Sequence, residues 1–283
     1  MEKQLVLQLE ESLMREAEKG FLASFLKLCE NEGVTITKET EVGQGDRPGL
    51  FCVAVCDSQE GIDACVENNI PVIAYERDER VRLNNPYIIL SFEGLDTEYV
   101  TKVHHRFFGL PLTIMETKRT IIREFCMEDL DDLFHLYEGE HVTDYMEPLF
   151  SYEDEKEYEK NYIKNVYHLY DYGMWLVIDK ETNEVIGRAG IESRGGISGI
   201  NKETFADDRN DESTVELGYL IREDYQNKGY ATEVCTAIMK YAFETLEKTR
   251  IYAQADLENT YSVKLLKKLG FMHMGAELFE RIR

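Results

Sequence analysis

Along this chain the apolar positions change rhythm several times, and each rhythm predicts an element. Residues 3–30 carry them at helical spacing, Leu5, Leu9 and Leu13, then Phe21, Phe25 and Leu28, which predicts one or two helices before any strand. The polar stretch "ENEGVTITKETEVGQGDRPG" then reads as a connector. "LFCVAVCDS" is a continuous apolar run, the pattern of a strand buried on both faces. "SQEGIDACVENN" returns to helical spacing at Ile62, Cys65 and Val66, and "IPVIAYE" is a second buried strand, completing one βαβ unit. "YIILSF" reads as another strand, and "DTEYVTKVHHRFFG" as a helix opened by Asp96 and closed by Gly109. The first half, residues 1–111, is thus a small, mostly parallel α/β domain, and no internal repeat joins it to the rest.

From Thr117 the pattern restarts, and residues 117–283 form a second domain. "ETKRTIIREF" reads as a strand, "MEDLDDLFHLYE" as a helix and "SYEDEKEYEKNYIKNVYHLY" as a longer acidic helix. "GMWLVIDKETNEVIGRAGIESR" is a hairpin turning at "KETNE". The polar stretch "GGISGINKETFADDRNDEST" is a loop of about twenty residues, a length that is uncommon unless functional or mobile. "VELGYLI" alternates as a strand does, and "ATEVCTAIMKYAFETLE" lines Val234, Ala237, Ile238, Tyr241, Ala242 and Leu246 along one helical face. After a further strand, "RIYAQA", the stretch "DLENTYSVKLLKKLGF" is a helix that starts near Asn259 and stops at Gly270.

Composition changes this picture at a few points. A length of 283 residues exceeds the roughly 100–200 of one domain and agrees with two. A formal charge of -23 opposes binding to polyphosphate backbones, which depends on Lys and Arg, so no nucleic-acid partner is expected and a cationic substrate fits better. No stretch approaches the ~20 apolar residues of a membrane span, and the charged start "MEKQLVLQLEESLMREAEKG" has no signal-peptide shape, so the expectation is a cytoplasmic protein without a membrane partner. The six cysteines, Cys29, Cys52, Cys56, Cys65, Cys126 and Cys235, form no C-x-x-C pair and no zinc-ligand spacing, and read as reduced, buried thiols. His104 and His105 fall on different faces of their helix, and no metal is expected.

The turn "YQNKGYATE", residues 225–233, places Gln226, Gly229 and Ala231 where a helix begins. Backbone N–H groups there lack intrahelical partners and the macrodipole is positive, so the position attracts an anion. Gly229 and Ala231 let a phosphate approach the backbone closely. The Walker pattern G-x-x-x-x-G-K-[ST] is absent, and the one near match to G-x-G-x-x-G, "GQGDRPG" at residues 43–49, has Pro48 in place of the third glycine and precedes a strand. On local grounds an ordinary strand-to-helix turn is an equal reading.

Taken together, "VELGYLIREDYQNKGYATE", "ENTYSVKLLKKLGF" and "ETKRTIIREF" resemble the GNAT superfamily of acetyl-CoA-dependent N-acetyltransferases, and within it the branch of ribosomal-protein N-terminal acetyltransferases. The resemblance rests on the Q/R-x-x-G-x-G/A signature at Gln226, Gly229 and Ala231. It implies a mixed central sheet flanked by helices, an α/β (α+β) fold of the acetyl-CoA N-acyltransferase type, behind a small Rossmann-like α/β domain. It implies acetyl-CoA as cosubstrate, its pyrophosphate cradled by the backbone of Gln226, Asn227, Lys228, Gly229, Tyr230, Ala231 and Thr232. Leu220 and Ile221 would pair with the pantetheine amides, and Asn259 and Ser262 would contact the pantetheine arm or phosphate, although both also suit helix capping.

Acetyl transfer needs a neutral amine, attack on the thioester carbonyl, and a proton for the departing thiolate. Glu216, at the start of the strand before the signature, is the candidate base, with Glu192 in reserve; a solvent-facing strand residue is the plainer reading of Glu216. Many family members carry a tyrosine acid where this chain has Leu266, so Ser262, Tyr261 or water is left for that role. "EGEHVTDYMEPLFSYED" offers Glu138, Glu140, Asp144, Tyr145 and Glu147 as a trap for an ammonium group, or as a solvated face. Trp175 reads as core.

In the first half, "VAVCDSQEGIDACVENNIPVIAYERDE" with "YIILSFEGL" looks like the last βαβ part of a haloacid dehalogenase-like domain, with Asp57, Ser58 and Gly61 on its turn. No strand before residue 50 is seen to end in the D-x-D nucleophile pair, so this domain is expected to be degenerate and non-catalytic, serving packing, homodimer formation or substrate capture. The expected activity is acetyl transfer from acetyl-CoA to a primary amine of a small molecule or a protein N-terminus, in a ternary complex. The alternatives are a phosphatase run by the first domain and a non-enzymatic acetyl-CoA sensor.

Overall fold

In the first half, apolar residues on alternate positions of parallel strands are claimed by helices on opposite faces. The computed structural model describes residues 2–38, 50–78, 80, 82–139, 142–193 and 212–283. It divides into two compact units, Met1–Leu110 and Pro111–Arg283. The first unit is a five-stranded sheet built from β1 (Glu2–Gln8), β2 (Val34–Thr37), β3 (Leu50–Cys56), β4 (Val72–Tyr75) and β5 (Ile88–Ile89). The order is β2-β1-β3-β4-β5, with every neighbouring pair parallel. Leu5, Leu7, Val53, Val55, Ile73 and Tyr75 face α1 (Glu16–Asn31) and α3 (Thr97–Phe107). Val6, Cys52, Ala54, Cys56 and Ala74 face α2 (Gln59–Glu67). This is a doubly wound layer arrangement. Asp96 caps its helix as expected, accepting from Tyr99 N at 2.8 Å, and Ser58 caps α2, accepting from Gly61 N at 3.2 Å.

Two corrections arise here. The run around Leu5 is a central strand and not a helix: Leu5, Val6 and Leu7 are all buried, and β1 is hydrogen-bonded on both edges. Within the supposed connector, Val34–Thr37 forms an edge strand; residues 39–49 lie outside the described residues.

The second unit is one eight-stranded sheet in the order β12-β13-β11-β10-β9-β8-β7-β6. It opens with a hairpin of β6 (Thr113–Glu116) and β7 (Thr120–Arg123), so "ETKRTIIREF" is a turn and a strand and not one strand. Then come α4 (Leu130–Leu136) and α5 (Tyr152–Tyr162), which continues through a π turn, Ile163–Tyr167, into α6 (His168–Tyr170). The hairpin of β8 (Met174–Asp179) and β9 (Val185–Ser193) forms as its pattern predicts. β10 (Thr214–Ile221), α7 (Tyr230–Glu244), β11 (Arg250–Gln254) and α8 (Thr260–Lys268) follow in the expected order. A last hairpin, β12 (Met272–Gly275) and β13 (Leu278–Ile282), was not legible beforehand. The long polar loop lies mostly outside the described residues. Trp175 is fully buried in the core, in a T-shaped contact with Tyr241.

Candidate active site

Every neighbouring pair in the second sheet is antiparallel except β10 and β11. Those two share register only at Thr214↔Arg250, Val215↔Ile251 and Glu216↔Tyr252, whereas β10 stays paired with β9 as far as Ile221↔Gly187. Among the described residues, therefore, Leu217–Ile221 have a strand neighbour on one edge only. The strands part immediately after Glu216, and the open edge leads to the turn at residues 226–232.

That turn has the backbone an anion site needs. Asn227 and Gly229 both take left-handed conformations, at φ of 57° and 85°, which costs an ordinary side chain but not glycine. Gly229 is the N-cap of α7 and no side chain caps the helix, so its first-turn N–H groups are offered outward. Gln226 Nε2 donates to Ile221 O at 2.9 Å, tying the turn back to the end of β10. Tyr230 Oη donates to Asp179 Oδ2 at 2.6 Å, and Lys268 of α8 donates to Thr232 Oγ1 at 3.4 Å. Leu220 and Ile221 have buried side chains, which leaves their backbone as the chemistry they can offer.

Asn259 and Ser262 meet each other: Asn259 Oδ1 accepts from Ser262 N at 3.1 Å, so Asn259 caps α8. The Ser262 hydroxyl lies beside Tyr219, whose phenol is pushed up to about 12 by burial, with the Ser262 hydrogen bond acting the other way. Leu266 is completely buried and contributes packing alone.

On the other face of β10 stands Glu216, directly opposite Glu192 of β9. Glu192 Oε1 accepts from Tyr162 Oη at 2.7 Å, and Tyr162 Oη in turn accepts Met174 N–H at 2.7 Å. Burial first, and the Glu192 charge second, hold the Tyr162 phenol well above its usual range, so it stays a donor. Four residues earlier on β9, Arg188 pairs with the fully buried Glu159 of α5 at 2.7 Å. Gly190 lies between Arg188 and Glu192, where a Cβ would collide with the Gly173 carbonyl oxygen. By strand alternation Glu216 and Tyr219, with Ser262 beside it, lie on opposite faces of β10.

Other expected residues are placed elsewhere. Glu138, Asp144, Tyr145 and Glu147 are exposed, and Glu140 lies outside the described residues. A cleft of about 430 Å³ is lined by His135, Leu136, Glu138, Gly139, Arg222, Glu223 and Asp224, and none of the candidate catalytic or turn residues line it. All six cysteines are buried and free, and burial pushes the Cys126 thiol up to about 12 and the Cys235 thiol higher. Among the described residues no group of three or more His, Cys, Asp or Glu is placed to hold a metal. Tyr162 and Arg119 escaped sequence reasoning, because each acts across sequence separations of tens of residues or more.

Comparison with known proteins gives this geometry a context. The family described as "Acetyltransferase (GNAT) domain" matches residues 119–272. "Uncharacterized N-acetyltransferase YnaD" of Bacillus subtilis (strain 168) is 30% identical over 161 residues, covering 56% of this chain and 82% of its own. Spermidine N(1)-acetyltransferase of Escherichia coli (strain K12) is 34% identical over 66 residues, covering 23% of this chain and 36% of its own. The solved structure of RimL, a ribosomal L7/L12 alpha-N-protein acetyltransferase, covers 62% of this chain and 96% of its own at a TM-score of 0.50 and 15% identity, a likeness of fold alone. With the family match spanning more than half of its 283 residues, the chain belongs to the GNAT family of acetyl-CoA-dependent acetyltransferases.

Proposed function

We propose that this protein transfers the acetyl group of acetyl-CoA to a primary amine, of a small molecule or a protein N-terminus, by direct attack in a ternary complex. The observation that carries the reading is the one-sided edge of β10 ending at the uncapped start of α7. Its open backbone suits the pantetheine amides at Leu220 and Ile221. The N–H groups of the turn from Gln226 through Asn227, Lys228, Gly229, Tyr230 and Ala231 to Thr232 suit the diphosphate. Glu216 takes the proton of the incoming ammonium, directly or through one water, and Glu192 supports it from the facing position. The amine nitrogen then attacks the thioester carbon, the C–S bond breaks, and the second proton lost by the nitrogen passes through Ser262 or water to the departing thiolate, leaving the amide and CoA thiol. Buried cysteines and the lack of an exposed thiol near Glu216 support transfer without an acyl-enzyme.

Relatives include an enzyme named for spermidine and a fold neighbour named for a ribosomal protein, both of which carry amines. The first unit we read as a degenerate haloacid dehalogenase-like domain. Its β1 ends in Gln8, an amide unable to act as a phosphoryl acceptor, and Asp57 is engaged by Glu10 N at 2.9 Å and by Arg77 at 3.5 Å. Among the described residues no helix is long and apolar enough to cross a membrane, and a cytoplasmic, homodimeric enzyme is our reading. The test is a thiol-release assay with spermidine, spermine and a panel of N-terminal peptides. At least one amine should release CoA and Asp57→Asn should leave the rate unchanged. Calorimetry that finds no acetyl-CoA binding at millimolar concentration would sink the reading.

A further inference from the structure

The candidate phosphate turn is held from outside by one residue. Arg119 sits in the turn between β6 and β7, more than a hundred residues earlier in the chain, and makes four contacts on residues 228–233. Its backbone N–H donates to Glu233 Oε1 at 2.8 Å and its Nε to Glu233 Oε2 at 2.8 Å. Its Nη1 donates to the Lys228 carbonyl at 3.0 Å, and its guanidinium carbon lies 3.9 Å from the centre of the Tyr230 ring. Its Nη2 lies 3.7 Å from where a Cβ on Gly229 would be. The planar cation thus fixes one carboxylate oxygen, one carbonyl and one aromatic face at once, a pattern lysine cannot reproduce, while the backbone N–H of the same residue holds the other carboxylate oxygen.

The arrangement solves a problem posed by Glu233. A carboxylate in the first turn of a helix suits the macrodipole, yet it repels an anion arriving at the same N–H groups. Burial works to raise the Glu233 carboxyl, but hydrogen bonds from Thr117 and from both the backbone and side chain of Arg119 outweigh it and hold it below its usual range, so it is charged. Arg119 balances that charge and at the same time pins the carbonyl of Lys228, just before the left-handed Gly229.

We propose that Arg119 is a positioning residue for acetyl-CoA, setting the shape and the charge balance of the turn that receives the diphosphate. This rests on the reading of that turn as the coenzyme site. The experiment is titration calorimetry of the full chain with CoA, comparing wild type, Arg119→Ala, Arg119→Lys, Glu233→Gln and the Arg119→Ala/Glu233→Gln double variant. Arg119→Ala should weaken CoA binding at least about ten-fold. Arg119→Lys should be weakened nearly as much, because it keeps the charge and loses the fork. The double variant should bind no more weakly than Arg119→Ala alone, since the two side chains act as one unit. In turnover with any accepted amine, KM for acetyl-CoA should rise while kcat changes little. If Arg119→Ala fails to fold, Arg119→Lys carries the test. Binding of CoA by these variants within two-fold of wild type overturns the proposal, whereas a wild-type chain that binds no CoA overturns the reading of the turn itself.

Discussion

Glu192 and Glu216 are set face to face by register, and like charges across a strand pair cost stability unless something uses them. Tyr162 stabilises one of the two through a 2.7 Å hydrogen bond while bound to Met174 N–H, which fixes the Glu192 carboxylate in direction. General-base catalysis contributes about 10²- to 10⁴-fold, so Glu216→Gln should lower kcat by about a hundred-fold with KM for acetyl-CoA unchanged. Glu192→Gln should cost less, and steady-state kinetics on the accepted amine reads both. Equal losses from the two substitutions would mean that the pair acts as one unit, and no loss from Glu216→Gln would remove it from the chemistry. At this scale the sequence was informative where chemistry is local. Gln226, Gly229 and Ala231 announce a turn by their spacing, and Asn259 next to Ser262 announces a cap. Tyr162 and Arg119 carry no local sign, because a tyrosine in an acidic helix and an arginine in a hairpin turn are ordinary residues until folding brings Glu192 and Glu233 to them.

Elements were read correctly where one period dominated over a full length, and misread where burial on both faces erased it. Leu5, Leu9 and Leu13 fit a helix by spacing, but Leu5, Val6 and Leu7 are consecutive and buried, the signature of a central parallel strand flanked by β2 and β3. Val34–Thr37 and β12 are four residues each, with only two alternating apolar positions apiece (Val34 and Ile36, Met272 and Met274), too short a run to separate from the polar sequence around them. The π turn at Ile163–Tyr167 is likewise invisible to a 3.6-residue period, although it carries buried Val166 and Tyr167. The parting of β10 and β11, on which the site depends, comes from a register that stops, and no residue type encodes it alone. What does encode the element after it is Gly229, at φ 85°. A β-branched residue there would be strained by about 1–2 kcal/mol in the left-handed region. Gly229→Val should therefore lower the midpoint of thermal unfolding by several degrees and weaken CoA binding more than the stability loss accounts for. Full CoA affinity in that variant would mean that the turn's backbone shape does not matter to the ligand.

As a whole the chain has two compact units with separate cores, so a property of one core should be readable apart from the other. His104 provides the handle. It is buried in the first unit, its ring stacked on Phe51 with centroids 4.1 Å apart, and burial, followed by the neighbouring charge of His105, lowers it from 6.5 to about 4. In the unfolded chain the same imidazole takes up a proton near pH 6.5, so between these two values the unfolded state binds more protons. Stability from this group is complete above pH 6.5 and falls as pH drops toward 4, by about 3 kcal/mol at the low end. Carboxylates titrate over the lower part of that window, and subtracting the behaviour of His104→Phe, which keeps a ring against Phe51 and removes the titration, isolates the histidine. Scanning calorimetry from pH 7 to pH 4.5 should therefore show the wild-type transition of residues 1–110 falling more steeply than that of His104→Phe, while the transition of residues 111–283 moves equally in both. Parallel curves for the first transition would show that His104 is protonated in the fold, and a matching change in the second would show that the two units unfold as one.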